Sequence, residues 1–310
     1  MRTSPTILAG ERGNILHIDK LEPNGLRIVA LVMRNCRGKA EVFIASPAIP
    51  PSWMHDPSVC VLSSGSCGNS ALVENEGRGI LIDAGISCRE LERRMSLFGI
   101  EPTQIDALVL THEHTDHIRG ARRLCLDHDV PAYATRGTLA LTPLDGVRTG
   151  RIAAGQSYRI GGFEVAPFKV RHLAAEPVAL SISCGPRRIG FASDLGSITR
   201  DVIDAMVGAD LMLMEANYDD EMLMSGTYPD FLKRAIRGDH GHLSNDDAGL
   251  LSAKSATPDT GRIVLIHLSR ENNEPDKAVR AVKECMKGLS HKPRVEATEH
   301  GGASGPFRLG

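Results

Sequence analysis

Four side chains of the types that bind metal ions occur within six positions of the sequence: His112, His114, Asp116 and His117. The two histidines follow an apolar run, residues 107–110, that predicts a strand. In extended backbone, residues i and i+2 point the same way, so His112 and His114 can reach one ion. Asp116 and His117 stand at the expected start of a helix, where adjacent side chains diverge toward a second ion. The segment therefore predicts a metal centre rather than a solvated polar loop.

Further candidates for metal ligands stand at the ends of three other apolar runs: His172 after residues 168–171, Asp194 after residues 189–193, and His267 after residues 262–266. Active sites of layered α/β folds usually lie where such strands end. Taken singly, each of the three could be an ordinary residue at a sheet edge. Their joint occurrence favours a site with seven protein ligands and two ions.

The chemistry of such a site follows from its ligands. Two divalent ions held about 3.5 to 4 Å apart can share a water molecule and lower its pKa from about 15.7 toward about 7. A bridging hydroxide then serves as nucleophile at neutral pH, while the ions polarise the electrophile. Imidazole and carboxylate donors suit zinc, manganese or iron, of which we expect zinc or manganese. Asp116 is also a candidate catalytic residue that orients the nucleophile or takes its proton.

The order of predicted elements indicates how this site is positioned. From residue 59 onward, strands and helices are followed by hairpins at Gly161-Gly162 and Gly185-Pro186 and then by further helices and strands. Two sheets packed between two helical layers, an α/β sandwich, account for this order. The amino-terminal part predicts a small β-rich appendage with a proline-rich linker at 47–52 and three strands, at 15–18, 27–33 and 41–45. We therefore expect two domains, residues 1–52 and 58–310.

Composition and charge exclude several classes of protein. With 42% hydrophobic and 24% charged residues, the chain is typical of globular proteins. A net charge of −2 gives no overall attraction to nucleic acid or acidic membranes, so contact with a polyanion must come from a local patch or a metal ion. No run approaches the roughly 18 to 20 apolar residues that span a bilayer, and no signal peptide is expected. The seven scattered cysteines, without a CxxC pair, predict reduced thiols and a cytoplasmic protein.

The pattern His112-x-His114-x-Asp116-His117, followed by three distant strand-end ligands, resembles the metallo-β-lactamase superfamily. The resemblance implies an αββα sandwich in which one ion binds a first ligand trio: His112, His114 and His172. It implies that a second ion binds another trio, Asp116, His117 and His267. The Asp194 carboxylate would bridge the two ions. It also implies that Asp83, in Leu81-Ile-Asp-Ala-Gly85, supports a ligand histidine, although an aspartate that caps a turn is the alternative.

The superfamily cleaves lactams, thioesters, lactones and phosphodiesters, so the fold alone does not give the substrate. Several segments resemble the YycJ-type (WalJ-type) branch; they are residues 63–70, 215–219, 226–229, 241–245 and 267–273. This branch is similar to phosphodiesterases and nucleases and includes a 5′-exonuclease of double-stranded DNA. Within these segments, five residues are candidates to bind the substrate: Ser66, Asn69, Asn217, Ser244 and Asn245. The sequence departs from that branch at Leu173, where an aspartate is usual, and at Cys67.

His242 is a further candidate catalytic residue because it opens a segment predicted as a helix capped by Ser244. A helix N-terminus attracts anions, so His242 could protonate a leaving group or contact a phosphate. The alternative is that His242 has no catalytic or binding role. Several basic residues lie near these motifs in the sequence: Arg119, Arg122, Arg123, Lys233, Arg234, Arg237 and Arg270. They could form a rim that binds a nucleic-acid backbone, or only a solvated face.

Residues 11–18 and the strands after them faintly resemble a CsrA-type carbon storage regulator, a small RNA-binding β-module, although a plain β appendage is the simpler interpretation. Our leading hypothesis is a dinuclear metal-dependent phosphodiesterase or exonuclease that acts on nucleic acid. One alternative is a hydrolase of small thioesters, lactones or cyclic phosphodiesters on the same metal centre. Another is a binding module whose metal site is vestigial. The sequence leaves the oligomeric state open.

Overall fold

The computed structural model describes residues 56–309 and, within the first 55 residues, the backbone of four strands. The chain divides into two compact units, Met1–His55 and Asp56–Gly310. In the first unit the strands pair antiparallel in chain order: β1 (Thr6–Ala9), β2 (Ile15–Leu21), β3 (Arg27–Arg34) and β4 (Ala40–Ala45). Three of them coincide with predicted strands, and β1 has no counterpart in the sequence prediction. The predicted linker at 47–52 lies outside the described residues.

The first sheet of the larger unit has seven strands in the order β10-β9-β8-β7-β6-β5-β18. Strands β7 to β10 run parallel, whereas β18, β5, β6 and β7 pair antiparallel. The strands are β5 (Ser58–Ser63), β6 (Ser70–Asn75), β7 (Arg78–Ile82), β8 (Ile105–Val109), β9 (Ala132–Ala134), β10 (Thr149–Arg151) and β18 (Ser304–Arg308).

The second sheet also has seven strands, in the order β11-β12-β13-β14-β15-β16-β17. Its first four strands pair antiparallel as hairpins, and β14 to β17 run parallel. The strands are β11 (Tyr158–Ile160), β12 (Phe163–Lys169), β13 (Val178–Cys184), β14 (Arg187–Ala192), β15 (Leu211–Glu215), β16 (Arg262–Ile266) and β17 (Arg294–Ala297).

Helices connect the parallel strands of both sheets. They are α1 (Cys88–Leu97), α2 (Thr115–Ile118), α3 (Ala121–His128), α4 (Arg136–Leu141), α5 (Arg200–Met206), α6 (Asp220–Ser225), α7 (Asp230–Arg237), α8 (Asn245–Ser255) and α9 (Pro275–Cys285). Hydroxyl side chains cap several of them; Ser87 and Thr199, for example, each accept a hydrogen bond from the first turn. Within the described part of the chain, no helix is long and apolar enough to cross a membrane.

The core has three layers of buried apolar side chains. The central layer joins the facing sides of the two sheets, through residues such as Val61, Val109, Leu180 and Leu213. The outer face of the first sheet packs against α1 and α3, and that of the second sheet packs against α5, α8 and α9. The architecture is therefore the predicted αββα sandwich, in which two mixed sheets lie between helical layers.

The parallel strands bring polar residues to one edge of the sandwich, because their carboxyl ends point the same way. Asp83 follows β7, Thr111 and His112 follow β8, Asp194 follows β14, Glu215 ends β15 and His267 follows β16. The two sheets are tied together at this edge, where the backbone N–H of His267 donates to Oγ of Ser64. The site is thus assembled from both sheets.

The sequence of residues 118–128 indicates a single helix, from which the structure departs. The chain instead forms two short helices, α2 and α3, separated at Gly120. A Cβ at this glycine would lie 2.2 Å from the carbonyl oxygen of Ile86, so the backbone passes too close to the preceding loop for any side chain. This close approach fixes α2, and with it Asp116 and His117, against the loop after β7.

Candidate metal centre

Three residues of the site leave their strands with a left-handed backbone. The φ angles of Asp83, Asp194 and His267 are 57°, 55° and 57°, a region that side chains other than glycine seldom adopt. Each such residue costs about 1–3 kcal/mol, which the surrounding structure must offset. The same conformation recurs at three strand ends that all carry site residues, so the turns serve to aim these side chains at the edge of the sandwich.

The first predicted ligand trio comes together. Nε2 of His112 lies 3.0 Å from Nδ1 of His114, and Nε2 of His172 lies 3.3 Å from that same Nδ1. One ligand atom from each of the three rings lies within 4.8 Å of the others. Three ring nitrogens therefore converge on a single point at the exit of β8.

The remaining nitrogen of each ring in this trio is held from outside the site. Nδ1 of His112 faces Oγ1 of Thr111 at 3.0 Å, and Nε2 of His114 donates to the carbonyl of Leu173 at 3.1 Å. Nδ1 of His172 donates to the carbonyl of Gly241, also at 3.1 Å. Acceptors on these nitrogens keep the lone pairs of the converging nitrogens directed into the site, as in proteins that bind metals through histidine.

The second predicted trio is also assembled, with ligand atoms of Asp116, His117 and His267 within 4.8 Å of one another. Nε2 of His117 lies 3.6 Å from Oδ2 of Asp116. Its Nδ1 donates to Oδ2 of Asp83 at 2.7 Å, in a pair with no exposed surface. Asp83 therefore contacts a candidate ligand histidine, as the resemblance implied.

Asp194 lies between the two trios. Its Oδ2 is 3.2 Å from Nε2 of His117, and its Oδ1 is 3.6 Å from Nε2 of His172 and 3.5 Å from Nδ1 of His267. The carboxylate is nearly buried, at 3% exposure. A buried carboxylate surrounded by imidazoles of both trios is placed to bridge two cations.

These residues fit two divalent ions. Tetrahedral zinc with nitrogen or oxygen ligands at 2.0–2.2 Å brings neighbouring ligand atoms to about 3.3–3.5 Å from one another. The separations of 3.0 and 3.3 Å in the first trio, and of 3.6 Å between His117 and Asp116 in the second, are close to that value. Nitrogen and carboxylate donors together also accept manganese or iron, so the donor set suits a divalent transition metal without selecting one.

The electrostatics of the cluster favour positive charge at its centre. Burial disfavours the protonated imidazole of His117, but the Asp194 and Asp83 carboxylates outweigh it and hold its pKa well above the ordinary value. Burial lowers the pKa of His112, and the neighbouring His117 adds to that effect. The carboxylates that favour a proton beside His117 would equally favour a metal cation, so the field of the site is suited to one.

Glu215 is a site residue whose role the sequence analysis missed. Its Oε1 lies 2.8 Å from Nδ1 of both His242 and His267, and its Oε2 accepts from the backbone N–H groups of Leu195 and Leu243. Burial disfavours the carboxylate, yet His242 and His267 bring its pKa down to about 2. The signal was present, because Glu215 ends the apolar strand β15 as Asp194 follows β14.

His242 lies at the open side of the cluster. The sequence pattern predicts His242 at the opening of the helix. In the structure it precedes Ser244, the cap of α8, by two residues and lies outside the first turn. Burial disfavours its charged form, but Glu215 and then Asp194 and Asp116 raise its pKa to about 9. Its side chain is 23% exposed, against 6% for that of His172, and it lines the cavity in front of the cluster.

That cavity has a volume of about 300 Å³. Of the predicted substrate residues, Ser66 and Asn217 line it. Asn69 lies inside the cluster, where Nδ2 donates to Oδ2 of Asp116 at 3.2 Å and its Oδ1 accepts from the N–H of Gly65. The amide of Asn217 donates to the carbonyl of His267, so both asparagines also hold the site in shape.

Ser244 and Asn245, the other two predicted substrate residues, do not line the cavity. Oγ of Ser244 accepts from the N–H of Asp247 and caps α8. The side chain of Asn245 forms two reciprocal amide hydrogen bonds with Asn273, at 2.9 and 2.8 Å, and both residues are buried. The structure therefore gives these two side chains partners in the scaffold around the site.

Most of the predicted basic rim is engaged in contacts within the protein. Lys233 is 8% exposed and donates to the carbonyl of Met224, and Arg237 pairs with Asp220. Arg119, Arg122 and Arg123 contact, in turn, the carbonyl of Cys67, the carbonyl of Asp145 and the carboxylate of Asp127. These cations stabilise loops and helices near the site, so they do not stand as an unpaired row.

Comparison with known proteins agrees with this geometry. Residues 78–268 match the model of the family described as the beta-lactamase superfamily domain. The chain is 34% identical over 231 residues to Exodeoxyribonuclease YycJ of Bacillus anthracis, covering 73% of this chain and 88% of that protein. It is 32% identical over 220 residues to Exodeoxyribonuclease WalJ of Streptococcus pneumoniae serotype 2, covering 69% of this chain and 82% of that protein.

Among solved structures, the metallo-beta-lactamase fold protein YhfI from Bacillus subtilis superimposes with a TM-score of 0.62 at 19% identity, over 80% of this chain and 99% of that one. At this identity the likeness concerns the fold. The resemblance of residues 11–18 and the strands after them to a carbon storage regulator rests on sequence alone and stays a prediction. The family match, the identity to these relatives and the αββα architecture agree, and the chain belongs to the β-lactamase superfamily.

Proposed function

We propose that this protein is a phosphodiesterase that requires divalent metal ions and removes nucleotides from the end of a nucleic acid. The observation that carries the proposal is the placement of two ligand trios on either side of Asp194. The relatives, two exodeoxyribonucleases among them, support nucleic acid as the substrate class. The free cysteines of the described residues support a cytoplasmic location.

The metal ligands are assigned as the sequence predicted. His112, His114 and His172 would hold one ion, Asp116, His117 and His267 the other, and Asp194 would contact both. When bound, two such ions supply a nucleophile at neutral pH and take up negative charge on the phosphate. We favour zinc or manganese for this donor set.

Asp116 is proposed to orient the nucleophile in addition to binding an ion. Its side chain is 26% exposed, whereas those of Asp194 and Asp83 are nearly or fully buried, so it is the cluster carboxylate that substrate can approach. It also lines the cavity. Asn69 donates to Oδ2 of this carboxylate and thereby fixes which oxygen faces the cavity.

His242 is proposed to protonate the leaving oxygen. Its Nδ1 is held by Glu215, so Nε2 is the nitrogen available to the cavity. A general acid must lie within hydrogen-bonding reach of the atom that it protonates, and His242 is the partly exposed histidine beside both trios. Glu215 would therefore act as a positioning residue for His242 and for His267.

The shape of the cavity favours the end of a strand as the substrate. Besides residues of the metal cluster, three apolar or aromatic side chains line the cavity: Tyr228, Leu232 and Ile236. A volume of about 300 Å³ is at the lower limit for sites of small ligands, so one nucleotide fits better than a base pair. The Tyr228 ring offers a surface on which a base can stack.

The experiment compares cleavage of several phosphodiesters by one protein sample. Metal is removed with a chelator and Mn²⁺ or Zn²⁺ is restored, with end-labelled DNA, RNA and bis-p-nitrophenyl phosphate as substrates. We expect metal-dependent release of mononucleotides, abolished in Asp116→Ala and retained in Asp129→Ala, which removes an exposed aspartate outside the cluster. Failure to cleave any of these substrates with metal restored would refute the proposal. Turnover of small esters alone would favour the hydrolase of small molecules.

A further inference from the structure

We propose that Cys88, Glu92 and His128 form a third metal site, of the structural zinc type, separate from the catalytic cluster. Cys88 and Glu92 stand one turn apart on α1, and His128 is the last residue of α3. Only the packing of two helices brings the three side chains together.

The donors converge on one point. Sγ of Cys88 lies 3.3 Å from Oε1 of Glu92, and Nε2 of His128 lies 2.7 Å from the same oxygen. One ligand atom from each of the three lies within 4.8 Å of the others. None of these three side chains contacts the residues assigned to the catalytic ions, so the cluster requires an explanation of its own.

The donor set and its spacing fit zinc. A thiolate, an imidazole and a carboxylate are its usual protein ligands, with zinc–sulfur at about 2.3 Å and zinc–nitrogen or zinc–oxygen at about 2.0–2.2 Å. Tetrahedral geometry then places neighbouring ligand atoms roughly 3.3–3.6 Å apart. The Cys88–Glu92 separation already has this value, and the His128–Glu92 separation needs to open by about half an ångström.

Binding would replace protons that now hold the cluster together. The thiol of Cys88 and the ring N–H of His128 both point at Oε1 of Glu92. A divalent ion at their meeting point displaces the thiol proton to solvent and leaves His128 neutral with its proton on Nδ1. Burial raises the pKa of the Cys88 thiol to about 12, but a coordinated divalent ion deprotonates a thiol outright.

The surroundings allow an ion to enter and be retained. Cys88 is 7% exposed and lies at the inner side, while the side chains of Glu92 and His128 are 37% and 23% exposed. Water from the open side can supply a fourth ligand. The nearby Asp127 carboxylate, paired with Arg123, adds negative charge beside the site. The exposed oxygen and nitrogen donors give metal from solvent an entry path to the inner thiolate.

The site would connect two helices that frame the catalytic segment. Helix α1 follows the loop after Asp83, and α3 follows Gly120, the residue that ends the segment with Asp116 and His117. Both helices pack on the outer face of the first sheet. A metal bridge between them would therefore add to stability and leave the chemistry of the cavity unchanged.

Cobalt provides a specific test, because thiolate ligation to Co²⁺ gives a near-ultraviolet charge-transfer band that nitrogen and oxygen ligands do not give. The catalytic cluster contains no cysteine, so in the full-length protein a band that is lost in Cys88→Ser reports on this site. We expect the band in the wild type and in Cys67→Ser, which removes an exposed thiol beside the cavity-lining Ser66. We expect no band in Cys88→Ser.

Metal counting gives a second measurement that does not depend on nuclease activity. The wild type should retain one more zinc per chain than His128→Ala, whose fold is checked by circular dichroism and whose surface position makes loss of folding a small risk. Absence of the cobalt band in the wild type would overturn the proposal. A band that is lost in Cys67→Ser and kept in Cys88→Ser would also overturn it. Equal zinc content in the wild type and in His128→Ala would show that the three side chains form a hydrogen-bonded cluster only.

Discussion

Nδ1 of His242 lies 2.8 Å from Oε1 of Glu215, a carboxylate with no exposed surface. The same oxygen is equally close to Nδ1 of His267, and two backbone N–H groups occupy the other oxygen. Four donors thus surround one buried charge, which is the condition under which a buried carboxylate is stable. Glu215 therefore couples the proposed proton donor to a proposed metal ligand.

Replacing Glu215 with glutamine should impair both functions. The amide has one acceptor oxygen instead of two, so its NH₂ group must face either a ring N–H or the backbone donors. We expect kcat to fall by about 10²- to 10⁴-fold, the usual contribution of a general acid. Metal content after dialysis should fall as well, because either orientation of the amide sets its NH₂ group against a donor and displaces the side chain that holds His267. Steady-state kinetics at saturating metal and metal analysis measure the two effects.

The matched comparison is His242→Gln. It should lower kcat to a similar extent while metal content stays at the wild-type value, since His242 is not assigned to either ligand trio. If Glu215→Gln kept both its turnover and its metal, the positioning role of the glutamate would be wrong.

Much of this site could be predicted because its residues follow a simple rule. Most ligand candidates stand where an apolar run ends, and strands that run in the same direction bring such ends together at one edge of a sheet. The rule placed His172, Asp194 and His267 with the cluster at 112–117 although they are up to 155 positions away. The same rule applied to Glu215 would have found it.

Other contacts had no signal in the sequence. Asn245 was assigned to the substrate because segment 241–245 resembles the YycJ-type branch, yet its side chain pairs with Asn273 on the loop before α9. Which partner a buried amide finds depends on the packing of α8 against that loop, and local patterns do not encode it. The close approach at Gly120 is similarly a property of two loops that meet only in the folded chain.

Asp83→Asn should weaken metal binding by about 10- to 100-fold, as substitutions behind a ligand histidine commonly do. The Asp83 carboxylate accepts from His117 and from the hydroxyl and N–H of Thr111. An amide cannot satisfy all three donors. Competition with a chromophoric chelator measures the affinity. Asp129→Asn is the control, because Asp129 has a similar positive φ of 52° but lies on the surface. Equal affinities in the two variants would contradict the role of Asp83.

Asn273→Leu should destabilise the fold by about 1–3 kcal/mol, the cost of leaving a buried polar group without its partner. The orphaned groups would be the amide of Asn245 and the carbonyl of Ala216. Urea unfolding of this variant, of Asn245→Leu and of the double variant forms a double-mutant cycle. We expect the double variant to lose less than the sum of the two single losses, because both removals break the same pair. Strict additivity would show that the pair is not coupled.

Removing the metals should lower the thermal stability of the protein. His112, His117 and Asp194 are each at most 3% exposed, and a bound ion satisfies several of their polar atoms at once. An ion present at 100 times its dissociation constant stabilises the folded state by about 2.7 kcal/mol, so the unfolding midpoint should rise when Mn²⁺ or Zn²⁺ is added after chelation.

Calorimetry of Cys88→Ser isolates the contribution of the catalytic cluster from that of the proposed third site. In this variant the rise should persist with Mn²⁺ and should be strongly reduced by the further substitution Asp194→Asn, since the bridging charge is then lost. A midpoint that does not respond to metal in Cys88→Ser would mean that the seven residues hold no ion.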